Sequence, residues 1–121
     1  MEQLKIGIKE KSFDFAMEVV SVCRFLAKNQ HEFVLSKQLL RSGTAIGALV
    51  REAEHGQSKP DFLSKMNIAL KEANETVYWI ELLFRTKLLL PDDYKKLNQN
   101  GLELVKILAS IVKTTKFNLG R

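Results

Sequence analysis

Apolar residues recur at steps of three and four through most of this chain, and proline, glycine and serine cluster where the runs break. Leu39, Gly43, Ile46, Val50 and Ala53 make one run. Phe62, Met66, Ala69, Ala73, Thr76, Ile80 and Leu83 make a second, flanked by Leu63, Leu70, Val77 and Phe84. Tyr94, Leu97, Gly101, Leu104, Leu108 and Ile111 make a third. Such spacing is the stripe an α-helix turns toward a core, and it matches the seam of left-handed bundle packing. No segment reads as a strand.

The breaks set the boundaries. Ser12 can cap a first helix and Ser36 a second, which stops at Gly56, a residue type that tolerates positive φ just past a helix end. Ser58, Pro60 and Asp61 together open a third helix: a capping hydroxyl, a proline in the first turn and a carboxylate near the positive end of the dipole. Pro91-Asp92-Asp93 opens the fourth. The predicted helices are therefore about 12–30, 36–55, 60–88 and 92–117. Their short links force antiparallel neighbours. The expectation is an all-α, antiparallel up-down-up-down four-helix bundle, with residues 1–121 forming one domain.

Two features do not fit a minimal bundle. Gly43 and Gly47 each cost about 1 kcal/mol relative to alanine inside a helix, so close packing must recover the loss. With Ser42, Ala45 and Ala48 they thin the second helix, and Ala69 and Ala73 thin the third, so those two surfaces are expected to meet closely. The first helix has the opposite problem. Eleven of the fifteen residues from Phe13 to Ala27 are apolar, and Asp14, Glu18, Ser21 and Arg24 leave only one narrow wet stripe. A helix facing one core needs an apolar arc of only about 100° or a little more. The surplus, which includes Phe13, Phe15, Met17, Val22 and Phe25, predicts a homo-oligomer interface. An N-terminal arm bearing Leu4, Ile6 and Ile8 is the alternative cover.

Charge adds one asymmetry. The net charge is +5, and it comes from the C-terminal segment, where Lys95, Lys96, Lys106, Lys113, Lys116 and Arg121 face Glu103 alone. On a helix, Lys95, Lys106 and Lys113 fall within about 20° of one direction and Lys116 about 60° away. Such a stripe suits a polyanion such as RNA or DNA. No aromatic platform interleaves with these lysines, so contact would be directed at the backbone and salt-sensitive. The competing reading is a solvated face on a protein-protein interaction scaffold. Arg41, Arg51, Glu52, Glu72 and Glu75 flank the seams and could meet as inter-helix ion pairs.

Catalytic chemistry finds little support. Glu52 and His55 have the Glu-x-x-His spacing of helical di-metal bundles, but such a centre needs a second copy and two further glutamates. Glu72 and Glu75 could supply oxygen atoms; the second histidine is missing. The single Cys23 lies among apolar neighbours and reads as a buried, inert thiol. There is no P-loop or dinucleotide fingerprint, and no cofactor or metal is expected. With no apolar run near the length of a membrane span and no signal-like start, the expected location is the cytoplasm.

The segments QLLRSGTAIGALVREAEHGQSKPDF (38–62), KMNIALKEANETVYWIELL (65–83) and LASIVKTTK (108–116) resemble the bacterial four helix bundle protein family. That family includes the proteins encoded in intervening sequences of 23S ribosomal RNA genes, also labelled ribosomal-protein-like, and the accessory variability determinants of diversity-generating retroelements. The resemblance implies a four-helix protomer, a ring-like homopentamer and no established enzymatic activity. For the retroelement branch it also implies nucleic-acid binding and a reverse-transcriptase partner. Arg41, Ser42, Glu52, Ser58, Phe62, Ala69, Glu72, Glu75 and Tyr78 match the family pattern, whereas Leu49 stands where the family often has asparagine.

Overall fold

The computed structural model describes residues 2–121, with side chains from Gly7 onward. Four helices, α1 (Glu2–Gln30), α2 (Leu35–Glu54), α3 (Lys59–Arg85) and α4 (Pro91–Asn118), form an antiparallel bundle in which each helix packs on two neighbours. The α1–α4 seam is the thinnest of the four. The core runs the length of the bundle through Phe15, Leu26, Leu39, Ile46, Met66, Ile80, Leu97 and Leu108. Burying large aliphatic side chains stabilises the fold by about 1.5–3 kcal/mol each.

Helix ends differ from expectation where side chains outside the apolar pattern intervene. Ser12 does not begin α1. The helix starts ten residues earlier, and Ser12 sits inside it, fully buried, its Oγ donating to the Lys9 carbonyl at 3.1 Å. The arm carrying Ile8 is thus a continuation of α1, and Ile8 itself is core. The side chains of Leu4 and Ile6 lie outside the described residues.

The α1–α2 corner is built by Glu32 rather than Ser36. His31 adopts positive φ (52°), and the Glu32 amide donates back to the Leu26 carbonyl, closing α1. The Glu32 carboxylate then accepts from the amides of Val34, Leu35 and Ser36 at 3.2, 3.1 and 2.8 Å, satisfying three donors at the start of α2. Burial alone would raise the Glu32 pKa, but these hydrogen bonds outweigh it and hold the carboxyl below its ordinary value.

Ser58 does cap α3, accepting from the Asp61 amide at 3.2 Å, with Pro60 in the first turn. Gly56 keeps negative φ, so its role is spatial: a Cβ there would fall 3.0 Å from Asp61 Oδ2 and 3.1 Å from the Ala53 carbonyl. Helix α3 ends at Arg85, not near 88, because Lys87 turns into positive φ (66°). The Leu88 amide reaches back to the Leu83 carbonyl, and Leu89 tucks into the core.

The glycines of α2 face α1 instead of α3. A Cβ on Gly43 would sit 2.9 Å from Val19 Cγ2, and one on Gly47 would sit 3.4 Å from the Ser12 carbonyl oxygen. The α2–α3 approach is instead made by hydroxyls: Thr76 Oγ1 donates to Ser42 Oγ at 2.9 Å, fully buried. Gly101 of α4 makes room for Val77 of α3 and for the Phe15 ring of α1.

Candidate nucleic-acid interface

Helix α4 turns Leu97, Gly101, Leu104, Leu108 and Ile111 inward. At 100° per residue this puts Lys95, Lys106 and Lys113 on the opposite, outer side, and these three and Lys116 are all exposed. Lys95 and Lys113 are about 27 Å apart along the axis. Among the described residues none of the four lysines enters an ion pair, in contrast to Lys9, Lys11, Lys65 and Lys96, which pair with Glu54, Glu103, Glu52 and Glu18. The stripe therefore keeps its charge available to an external anion.

The sequence pattern concealed an aromatic neighbour of these lysines. Phe117, on the last turn of α4, is 84% exposed. It lies four residues beyond Lys113 and next to Lys116, about 40° from the line of the stripe. Periodicity alone could not find it, because the final turn of a helix gives no further apolar position to place it against. Leu102, partly exposed, also falls on this outer side.

The expected oligomer-interface residues divide. Phe15 (1% exposed) and Val22 (8%) belong to the protomer's own core and are not available to another chain. The physical reason is that α1 packs on both α2 and α4, so its buried arc is wider than a one-sided helix requires. Phe25 is half-buried against the core. Phe13 (47%) and Met17 (53%) remain on the surface. Phe13 lies beside Arg51 and Glu54 of α2, whereas Met17 lines the groove toward Asp93, Lys96 and Leu97 of α4. A separate apolar, open groove of about 360 Å³ between α1 and α2 is lined by Val20, Cys23, Ala27, Phe33 and Leu40 and flanked by Arg24 and Lys37. Phe33 and Leu40 were not anticipated, since Phe33 falls in a link and Leu40 beside the inward face.

Four of the five seam charges form pairs. Arg41 of α2 bridges to Glu72 (3.2 Å) and Glu75 of α3, and Glu75 also accepts from Trp79 Nε1 at 3.0 Å. Glu52 pairs with Lys65 at 3.4 Å. Arg51 departs from the expected set, laying its guanidinium over the Phe13 ring at 4.9 Å, a cation–π contact. Tyr78 is exposed and meets Trp79 edge-on, while Leu49 is half-buried against the core.

With Glu52 on Lys65, and Glu72 and Glu75 on Arg41, the carboxylates nearest the Glu-x-x-His pattern hold cations of the chain itself. Among the described residues no group of three His, Cys, Asp or Glu side chains could hold a metal ion. Cys23 is buried, its Sγ donating to the Ser36 carbonyl at 3.3 Å; burial, assisted by the Glu32 charge, pushes its pKa up to about 11. Nor is any described helix long and apolar enough to cross a membrane.

The fold places the chain in the class of all-α, antiparallel four-helix bundles. The chain belongs to the 23S rRNA-intervening sequence protein family, whose model matches residues 4–110. It is similar, at 52% identity and a TM-score of 0.88, to a protein of unknown function from the S23 ribosomal protein family of Bacteroides thetaiotaomicron VPI-5482, whose crystal structure was solved at 1.70 Å. That likeness covers 91% of this chain and 98% of the other. No curated protein matches the chain.

Proposed function

We propose that this protein is a non-enzymatic, homo-oligomeric helical bundle that contacts the backbone of RNA or DNA through Lys95, Lys106, Lys113 and Lys116. The observation that carries the reading is the alignment of Lys95, Lys106 and Lys113 along the outer side of α4, with Lys116 about 60° from that line. All four are exposed and outside any ion pair among the described residues. In a ring of copies, of which the pentamer implied by family resemblance is the favoured form, the stripe repeats by symmetry and becomes a belt. Multivalent display then raises the affinity beyond that of one protomer.

Fluorescence anisotropy with generic RNA and duplex DNA tests this. If each lysine neutralises one phosphate, affinity falls by on the order of 100-fold per protomer engaged between about 50 and 200 mM salt. Lys106→Glu with Lys113→Glu should weaken binding and flatten that salt dependence. Absence of binding at about 50 mM salt, or binding indifferent to the double substitution, overturns the proposal. For a chain of the retroelement kind the further partner is a reverse transcriptase, and the same titration with that enzyme in place of nucleic acid tests it.

A second reading has its own support in the exposed apolar side chains of Phe13, Met17, Phe33 and Leu40. On that reading the protein is an interaction scaffold and its lysines keep it soluble. Light scattering of Met17→Glu and Leu40→Glu variants, read beside the anisotropy, separates the two. A scaffold loses its assembly and shows no nucleic-acid binding before or after.

A further inference from the structure

We infer that the C-terminal end of α4 selects unpaired over duplex nucleic acid, with Phe117 as the platform on which one base stacks. This rests on the nucleic-acid reading above and goes beyond it, since lysines alone read only the backbone and do not distinguish a flexible strand from a duplex by its bases. Three observations carry it. Phe117 is 84% exposed, the most exposed large hydrophobic side chain among the described residues. It lies next to Lys116 and one turn beyond Lys113, within reach of the phosphates that bracket a base stacked on the ring. The backbone beyond the helix also turns back: Gly120 takes φ of 70°, and the Arg121 amide donates to the Lys116 carbonyl at 2.8 Å. That closure satisfies the terminal carbonyls and brings the Arg121 backbone back to the helix end that carries Phe117.

An aromatic face flanked by cations is the minimal single-strand site. Stacking is tolerant of sequence because every base has a π-face, while the cations hold the backbone. A base within a duplex is already stacked on both sides and has no face to offer. The expected ligand is therefore an unpaired end, loop or bulge, read without strong sequence preference.

Anisotropy with a labelled single-stranded oligonucleotide and a duplex of equal length tests the inference on the full chain. Phe117→Ala should weaken single-strand binding by roughly 5- to 100-fold and leave duplex binding and the salt slope unchanged, since no ion pair is lost. Phe117→Trp should restore affinity, with the new indole quenched on titration. Circular dichroism of each variant should match the parent, because Phe117 packs on nothing in the core. Equal loss for both ligands, or no change in either, overturns the stacking role while leaving the lysine contact intact. If the parent chain binds no oligonucleotide at all, the lysine proposal itself fails. Phe117-dependent association with phosphatidylserine vesicles, without such dependence for oligonucleotides, would assign the ring to a lipid surface and overturn the inference as well.

Discussion

Helix α1 closes the bundle along two edges, and they are built differently. Toward α2 the backbones approach closely, with Val19 pressing on the space left by Gly43 and Ser12 lying against Gly47, and the Lys9–Glu54 bridge lies outside that contact. Toward α4 the seam is thin and largely polar at its outer side. Lys11 bridges to Glu103 at 3.1 Å, and Glu18 accepts from Asn100 Nδ2 at 2.8 Å and lies 3.9 Å from Lys96. Open grooves of about 190 and 450 Å³ run beside these groups. The α2 edge is set chiefly by close backbone approach, whereas the α4 edge leaves grooves that long polar side chains span. Stability should therefore respond to opposite kinds of substitution on the two sides of a single helix.

The largest effect should come from a large apolar group that anchors the polar edge. Phe15 inserts its ring near Gly101, and Phe15→Ala should cost about 3–5 kcal/mol in denaturant unfolding. A cost below about 1 kcal/mol would show that the polar bridges close this edge themselves. On the tight edge, Gly43→Leu should destabilise by about 1–3 kcal/mol through overpacking against the stiff, buried Val19. Gly43→Ala should cost less, because the helix preference of alanine offsets about 1 kcal/mol. Adding Val19→Ala should recover part of the Gly43→Leu penalty, and strict additivity in that cycle would contradict the contact.

Smaller effects sharpen the contrast. Asn100→Ala combined with Lys11→Met should cost only about 1 kcal/mol, because exposed ion pairs are each worth roughly 0–1 kcal/mol and a single hydrogen bond about as much. The smallest effect is a pH effect at the α1–α2 corner. The Glu32 carboxyl is held below its ordinary pKa, so its capping contribution is complete above the unfolded value of 4.5 and is lost as pH falls through the lower folded value. Amide exchange in the first turn of α2 should quicken selectively in that acid range, and Glu32→Gln should remove the pH dependence. An equal response along α4 would mean that acid acts on the whole bundle instead.

The helical seams were legible from sequence because their spacing is redundant: Leu39, Ile46 and Val50 agree with one another whatever happens to any one of them. The corners were not, since each depends on one side chain or one dihedral angle. Glu32 looked like a link residue, and only its position opposite three free amides makes it a cap. Lys87 carries no mark of the positive φ that ends α3. The glycines of α2 announced close packing, but not which neighbour would use the space, because Gly43 offers no side chain whose direction a pattern could follow. The lysine stripe followed from the helical repeat. Phe117 did not, because exposure at a helix end is a tertiary fact, and the same is true of the burial that takes Phe15 and Val22 out of any surface.

The weak edge also has a kinetic meaning. Three of the seams join helices that follow one another in the chain, and each can form as a local hairpin at small entropic cost. The α1–α4 seam alone ties residues as distant as Lys11 and Glu103, separated by 92 positions. Loop closure of that length yields little until its neighbours are in place. The bundle should therefore zip from its middle helices outward, with α1 and α4 meeting last in folding and parting first when the protein breathes.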